Sequence, residues 1–325
     1  MCFTVVYVLS CGNSGFYPEQ CLMSLHTLKK YNPDISVCVV IDEQTSLVLA
    51  KTQYDAIYQY ADIITRPVPS EFNTEKLRSR YLKTSLRRIV CGDFVFLDCD
   101  TIVCRPFTKS DLKNTVIGMI ADLNAPLPLS DPGALMKCQN AGFPDLQGVP
   151  YFNSGFFYVK DDPACYHFFD TWHMLWREST QRGCSFDQPA LCETNKRLGF
   201  PIQELPGEWN CQIKYPNSRL SLSRAFVLHY FSADGLSSRS FHEDYLLKRV
   251  KYNGIDDTVA AILSSSVAAL AAFFGQQTDA ALRYLGSDLF SVYSEDKPSY
   301  VIAERIAVAL SKMKQKGREL FWGRE

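Results

Sequence analysis

The chain has 325 residues, enough for one large α/β domain or two smaller ones, and its 46% hydrophobic and 13% aromatic content supplies an ample core. A formal net charge of −1 excludes the bulk positive field of a nucleic-acid binder, so no nucleic-acid partner is expected. The twelve cysteines are scattered with no C-x-x-C pair, and Cys2, Cys38, Cys99 and Cys104 lie in or beside apolar runs, which reads as reduced, buried thiols in a cytoplasmic protein.

The first residues carry no basic segment of an export signal, and 3–9 is predicted as a buried strand. It runs into a turn-rich loop, Ser10-Cys11-Gly12-Asn13-Ser14-Gly15. Apolar spacing at Leu22, Leu25 and Leu28 predicts a helix over 19–31, followed by strands at 36–41, ending in Asp42, and at 62–65. This order predicts a parallel sheet with crossover helices and makes the loop after the first strand a cradle for a nucleotide. The G-x-G-x-x-G fingerprint of a dinucleotide site is absent.

Residues 73–90 are predicted as a helix with a basic stripe, Lys76, Arg80, Lys83 and Arg87, and an apolar one, Leu82, Leu86 and Ile89. The basic stripe reads either as a solvated face or as a contact for a diphosphate. The diphosphate reading draws on the neighbouring stretch: Phe94-Val95-Phe96-Leu97, four apolar residues of a buried parallel strand, runs straight into Asp98-Cys99-Asp100. In an extended chain Asp98 and Asp100 would share a side. Two close carboxylates raise each other's cost of ionising, and a hard divalent cation, Mn²⁺ or Mg²⁺, removes that cost. The alternative is that Asp98 caps a turn and Asp100 starts the next segment.

Residues 116–121 form another apolar run, ending in Asp122, and 124–150, rich in Pro and Gly, is predicted as a long binding loop or lid. A strand over 151–160 is interrupted by Asn153-Ser154-Gly155, a polar triplet that implies close approach of a ligand or of backbone. An aromatic-rich helix is predicted over 163–182. Ser185-Phe186-Asp187-Gln188-Pro189 opens another, with Pro189 in its first turn and Asp187 or Ser185 as cap. A last strand over 226–231 carries His229. Residues 257–274 are predicted helical but fall short of a membrane span. The tail 311–325 holds Lys312, Lys314, Lys316, Arg318 and Arg324 with Leu320, Phe321 and Trp322. It reads as a docked terminal helix, or as a peripheral contact with an anionic membrane surface on the cytoplasmic side.

The series "FVFLDCDTIV", "YFNSGFFYVK", "FDQPAL" and "VLHYFSADG", spread over roughly residues 3–240, resembles the retaining glycosyltransferases of family 8, the glycogenin and bacterial lipopolysaccharide galactosyltransferase group. The resemblance implies a GT-A nucleotide-diphospho-sugar transferase fold: α/β, with a mixed, mostly parallel central sheet flanked by helices. It places a catalytic domain at 1–250, its nucleotide-sugar half at 1–122 and its acceptor-side half at 123–250, and a helical C-terminal extension at 251–325. It implies a UDP-sugar donor, glucose or galactose, a carbohydrate or lipid-linked acceptor, and Mn²⁺ or Mg²⁺. The implied metal ligands are Asp98, Asp100 and His229. Leu9, Ser10 and the loop to Tyr17 would contact the base, Asp98 the ribose, and Arg80 with Lys83 the diphosphate or sugar. Asp122, Asn153 and Ser154 would hold sugar hydroxyls, and Asp187 and Gln188 would line the face where bonds exchange. Gly235 and Arg239 stand six and ten residues past His229, where the family carries a glycine and a lysine closer to the histidine, which leaves the phosphate contact of that loop open. The first loop lacks the family's acidic residue, which leaves the identity of the base open. Two other readings remain: a phosphohydrolase with Asp98 as nucleophile, and a nucleotide-sugar-binding module without catalysis.

Overall fold

The structure, a computed structural model, describes residues 3–12, 15–50, 54–112, 115–125, 128, 131–213, 215, 217–218, 221–230 and 241–264. Strand β1 (Thr4–Leu9) shows how the sequence builds the core. Val5, Tyr7 and Leu9 join one apolar layer, and Val6 and Val8 join the other. That is the two-sided burial of a parallel strand covered on both faces. β2 (Ser36–Asp42) and β4 (Phe94–Leu97) flank β1 in parallel, and β3 (Asp62–Arg66) pairs with β2. β6 (Ile117–Ala121), β7 (Phe152–Val159) and β8 (Ile202–Glu204) complete a seven-stranded sheet, ordered β3-β2-β1-β4-β7-β6-β8. β7 runs antiparallel to β4 and β6, and the other pairs are parallel. The expected mixed, mostly parallel sheet is thus present. A second sheet of three short strands, β5 (Thr101–Val103), β10 (Val227–His229) and β9 (Cys211–Gln212), lies at the carboxyl end of β4.

Helices cover both faces. α1 (Tyr17–Tyr31) packs Leu22, Leu25 and Leu28 into the first layer. α4 (Glu75–Thr84), α7 (Pro163–Gln181) and α8 (Gln188–Arg197) pack Leu82, Trp172, Trp176 and Leu191 into the second. α2 (Glu43–Leu49) and α3 (Asp55–Tyr60) connect β2 to β3, and α9 (Phe241–Asn253) and α10 (Asp257–Ile262) follow β10.

The helix expected over 73–90 is broken: α4 ends at Thr84, and α5 (Leu86–Ile89) restarts after Ser85. The Ser85 hydroxyl donates back to the Tyr81 carbonyl at 2.8 Å, a side-chain bond that competes with the helical ladder. The basic stripe divides between the two readings: Lys83 and Arg87 are fully buried, Arg80 is partly exposed, and Lys76 is exposed. The long loop expected over 124–150 contains α6 (Pro132–Asn140), started by Asp131, whose carboxylate accepts from Ala134 N–H at 2.7 Å, with Pro132 in its first turn. Every described cysteine is a free thiol, and all but Cys91 are buried. Among the described residues, no helix is long and apolar enough to cross a membrane. Phe231, residues 265–274 and the basic tail lie outside the described residues.

Candidate active site

β4 stops at Leu97, so Asp98, Cys99 and Asp100 form a turn between β4 and β5 rather than the extended strand end expected. Two other constraints bring the carboxylates together. The Asp98 N–H donates to the Gly155 carbonyl at 2.9 Å, and the Tyr230 N–H donates to the Asp100 carbonyl at 3.1 Å. β10 pairs antiparallel with β5, which sets His229 opposite Thr101, one residue past Asp100. The outcome is a cluster in which one ligand atom each from Asp98, Asp100 and His229 lies within 4.8 Å of the others. The His229 Nε2 stands 3.2 Å from an Asp100 carboxylate oxygen. Two carboxylate oxygens and an imidazole nitrogen are a donor set that suits a divalent cation.

The polar triplet in β7 serves this cluster. The register of β7 against β6 jumps between Met119, opposite Phe157, and Ile120, opposite Asn153. Ser154, Gly155 and Phe156 therefore bulge out of that ladder, as bulges beside functional sites do. A Cβ on Gly155 would lie 2.4 Å from His229 Cε1, so only glycine lets the ring sit here. Asn153 organises what surrounds the ring. Its amide nitrogen donates to Asp122 at 2.9 Å, and its oxygen accepts from Gly155 N–H at 2.8 Å and from the Asn210 amide at 2.9 Å. The Asn210 oxygen in turn stands 3.1 Å from His229 Nδ1. An Asp122–Asn153–Asn210–His229 chain thus fixes the imidazole so that Nε2 meets the carboxylates, the usual way of orienting a ligating histidine. Asn210 was not legible in the sequence. It sits in a short segment without periodicity, 57 positions from Asn153.

The opposite wall comes from α4 and the turn before α8. Asp187 occupies the cap position of α8 but caps nothing with its side chain. It is buried, with Arg80 Nε at 3.1 Å and Lys83 Nζ at 3.7 Å. Burial pushes its carboxyl up, but Arg80, Lys83 and a bond from Ser154 outweigh that and hold it below the usual range. The capping reading is corrected: the buried Lys83 and the partly exposed Arg80 claim the carboxylate. Its backbone is fixed from α7, where the Trp172 indole donates to the Asp187 carbonyl at 3.0 Å. Lys83 is wholly enclosed, with its ammonium 2.8 Å from Asp98, 3.4 Å from the Ser154 hydroxyl and 4.7 Å from the Phe96 ring centre. It joins the Asp98–Asp100–His229 cluster to Asp187. Arg80 lies in the field of Asp187, Asp98, Asp100 and Tyr17, which together raise its pKa against the effect of burial.

Gln188 donates its amide nitrogen to the Phe152 carbonyl at 3.1 Å and also bonds Asp122, leaving its oxygen as the group available to a ligand. Burial raises the Asp122 carboxyl despite those bonds. Leu9 ends β1 buried, and the hydroxyl of Ser10 is buried without a hydrogen-bond partner. Gly235 and Arg239 lie outside the described residues.

The fold has counterparts among solved structures. The chain matches a galactosyltransferase, LgtC, in complex with donor and acceptor sugar analogues, at 16% identity and a TM-score of 0.50, covering 76% of this chain and 93% of that one. It matches the apo form of mouse xyloside xylosyltransferase 1 at 14% identity and a TM-score of 0.47, covering 70% and 96%. No protein-family model matches the chain, and no curated protein matches it by sequence. The architecture is that of the GT-A glycosyltransferases.

Proposed function

We propose that this chain is a metal-dependent retaining glycosyltransferase of the family 8 kind, moving glucose or galactose from a UDP-sugar to a hydroxyl of a glycan or glycolipid acceptor. The observation that carries the reading is the joining of Asp98, Asp100 and His229, through the buried Lys83, to the Arg80–Asp187 wall. A divalent cation bound by the three ligands would act as a Lewis acid toward the leaving diphosphate. The side chains divide the remaining tasks. Arg80 stabilises negative charge as it develops on the diphosphate. Asp187, with two cations on its carboxylate, is a poor covalent nucleophile, and this favours front-face attack by the acceptor hydroxyl, whose proton passes to the departing phosphate oxygen. The Gln188 oxygen faces positive charge on the oxocarbenium-like anomeric carbon. Asp122 and Ser154 hold sugar hydroxyls, and Asn153 orients both Asp122 and His229.

Thermal shift with a panel of nucleotide sugars tests the reading, because a ligand bound only by the folded state raises stability by mass action. A Tm rise with one UDP-hexose that requires Mn²⁺ supports it, and a panel with no metal-dependent shift rejects it.

A further inference from the structure

The loop after β1 is held by a charged cluster outside the residues assigned above. Asp42, ending β2, accepts from Thr45 N–H and from the Thr45 hydroxyl, both at 2.9 Å, and pairs with Arg78 Nε at 3.1 Å. Thr45 accepts from Cys11 N–H at 2.9 Å, and Arg78 donates to the Cys11 carbonyl at 3.0 Å. Both backbone groups of Cys11 are therefore fixed. Arg78 also donates to the Asn73 carbonyl, so its contacts go to Asp42 and the loop rather than to Glu75. The carboxylate of Glu75, one turn earlier on α4, lies over Gly12: a Cβ added there would meet Glu75 Oε1 at 2.2 Å. Among the described residues the Glu75 carboxylate has no hydrogen bond or ion pair, and its charge acts on the Cys11 thiol. Beside it, Ser10 is 5% exposed with a hydroxyl that has no partner. The Ser10 hydroxyl at the carboxyl end of β1 and the Glu75 carboxylate over the loop that follows it lie where an α/β sheet takes a ligand's polar groups.

The polarity along α4 identifies which part of a ligand this is. Eight residues separate Glu75 from Lys83, about 12 Å along the axis. One end, with Asp42 and Glu75 against Arg78, has a carboxylate in excess. The other presents Arg80 and Lys83 beside the metal cluster. A nucleoside diphosphate laid along this helix puts its anion at the cationic end and its base at Glu75. We propose that Glu75 is the acceptor that reads the nucleobase, selecting a base with a ring N–H, uracil or guanine, against cytosine and adenine, whose corresponding ring nitrogens are themselves acceptors. This rests on the transferase reading and adds to it the residue that sets the base.

Binding of UDP, GDP, CDP and ADP to the full chain with Mn²⁺, by calorimetry, tests it, with Glu75→Gln as the variant. The wild type should bind UDP or GDP at least tenfold more tightly than CDP or ADP. The Gln amide both donates and accepts, so in the variant UDP should weaken about tenfold, CDP should hold or improve, and the preference should collapse. 2′-Deoxy-UDP should lose as much as UDP does. Equal losses for all four nucleotides, no loss for any, or a loss for UDP absent for 2′-deoxy-UDP overturns the assignment, the last pointing to the ribose. A wild type that binds no nucleoside diphosphate overturns the transferase reading itself, whereas binding that ignores Glu75 overturns this inference alone.

Discussion

Lys83→Met removes the ammonium that, among the described residues, joins the two walls of the site while keeping much of the side chain's bulk. Lys83 is entirely enclosed and stands 2.8 Å from Asp98 and 3.7 Å from Asp187. Breaking a buried ion pair by removing one partner costs about 3–5 kcal/mol, because a buried charge is left uncompensated. Two features move the expectation to the lower end. The Asp98 side chain keeps 20% exposure, and Asp187 keeps Arg80. A loss of about 3 kcal/mol corresponds to a fall in Tm of roughly 6–12 °C for a domain of this size. The metal makes the test discriminating. Without it, the bare Asp98 carboxylate has lost its cation, whereas bound Mn²⁺ supplies positive charge at the same oxygens. Differential scanning fluorimetry of both proteins with and without Mn²⁺ should show the variant regaining more Tm from the metal than the wild type does. An identical deficit in both conditions, or no deficit, would refute Lys83 as the counter-charge of this cluster.

Asp187→Asn separates a buried ion pair from a helix cap: about 3 kcal/mol of stability should be lost, against about 1 kcal/mol for a cap, as read by urea denaturation. Because Asp187 is held below its ordinary value of about 3.8, the contribution of its charge should be fully present above that pH and vanish as pH falls through the lower folded value. The gap between wild type and variant should therefore be flat from pH 5 to 8 and narrow below about pH 4, and a gap that narrows near neutrality counts against the pairing. Gly155→Ala should leave the fold intact yet weaken Mn²⁺ binding by roughly 10–100-fold, as for other groups that orient a ligating histidine, and unchanged metal affinity would remove His229 from the ligand set. Gln188→Ala should keep UDP-sugar affinity and lose about tenfold or more in turnover, about 1.4 kcal/mol of barrier, and unchanged kcat would leave the front-face route without its residue.

Much of the sheet was readable because strands buried on both faces write themselves as unbroken apolar runs, as Thr4–Leu9 and Phe94–Leu97 do. A close approach at Asn153-Ser154-Gly155 was legible, but the approaching group is the His229 side chain rather than the ligand or backbone expected. The features that stayed hidden depend on pairings distant in sequence. Nothing local marks Asn210 as the partner of His229 or Asp187 as the counter-charge of Arg80, 107 positions away, so each looked like ordinary loop or cap chemistry. The grouping of Asp98 with Asp100 was expected for an incomplete reason. Strand alternation does not operate in a turn, and the register of β10 on β5 with the bond to Gly155 brings the two carboxylates together instead. The helix at Pro132–Asn140 was obscured because its short apolar set, Ala134 and Cys138, buries too little to show a period.

The most direct measurement is incubation of the chain with Mn²⁺ and labelled UDP-glucose or UDP-galactose, followed by quantification of UDP and free or transferred sugar, for the wild type and for Asp100→Asn. Sugar released or transferred from one donor by the wild type, with loss of that activity in a folded Asp100→Asn protein, is the result expected. No UDP from any donor, phosphate released from monoesters instead, or full activity in the variant would contradict a metal-dependent sugar transfer built on Asp98, Asp100 and His229.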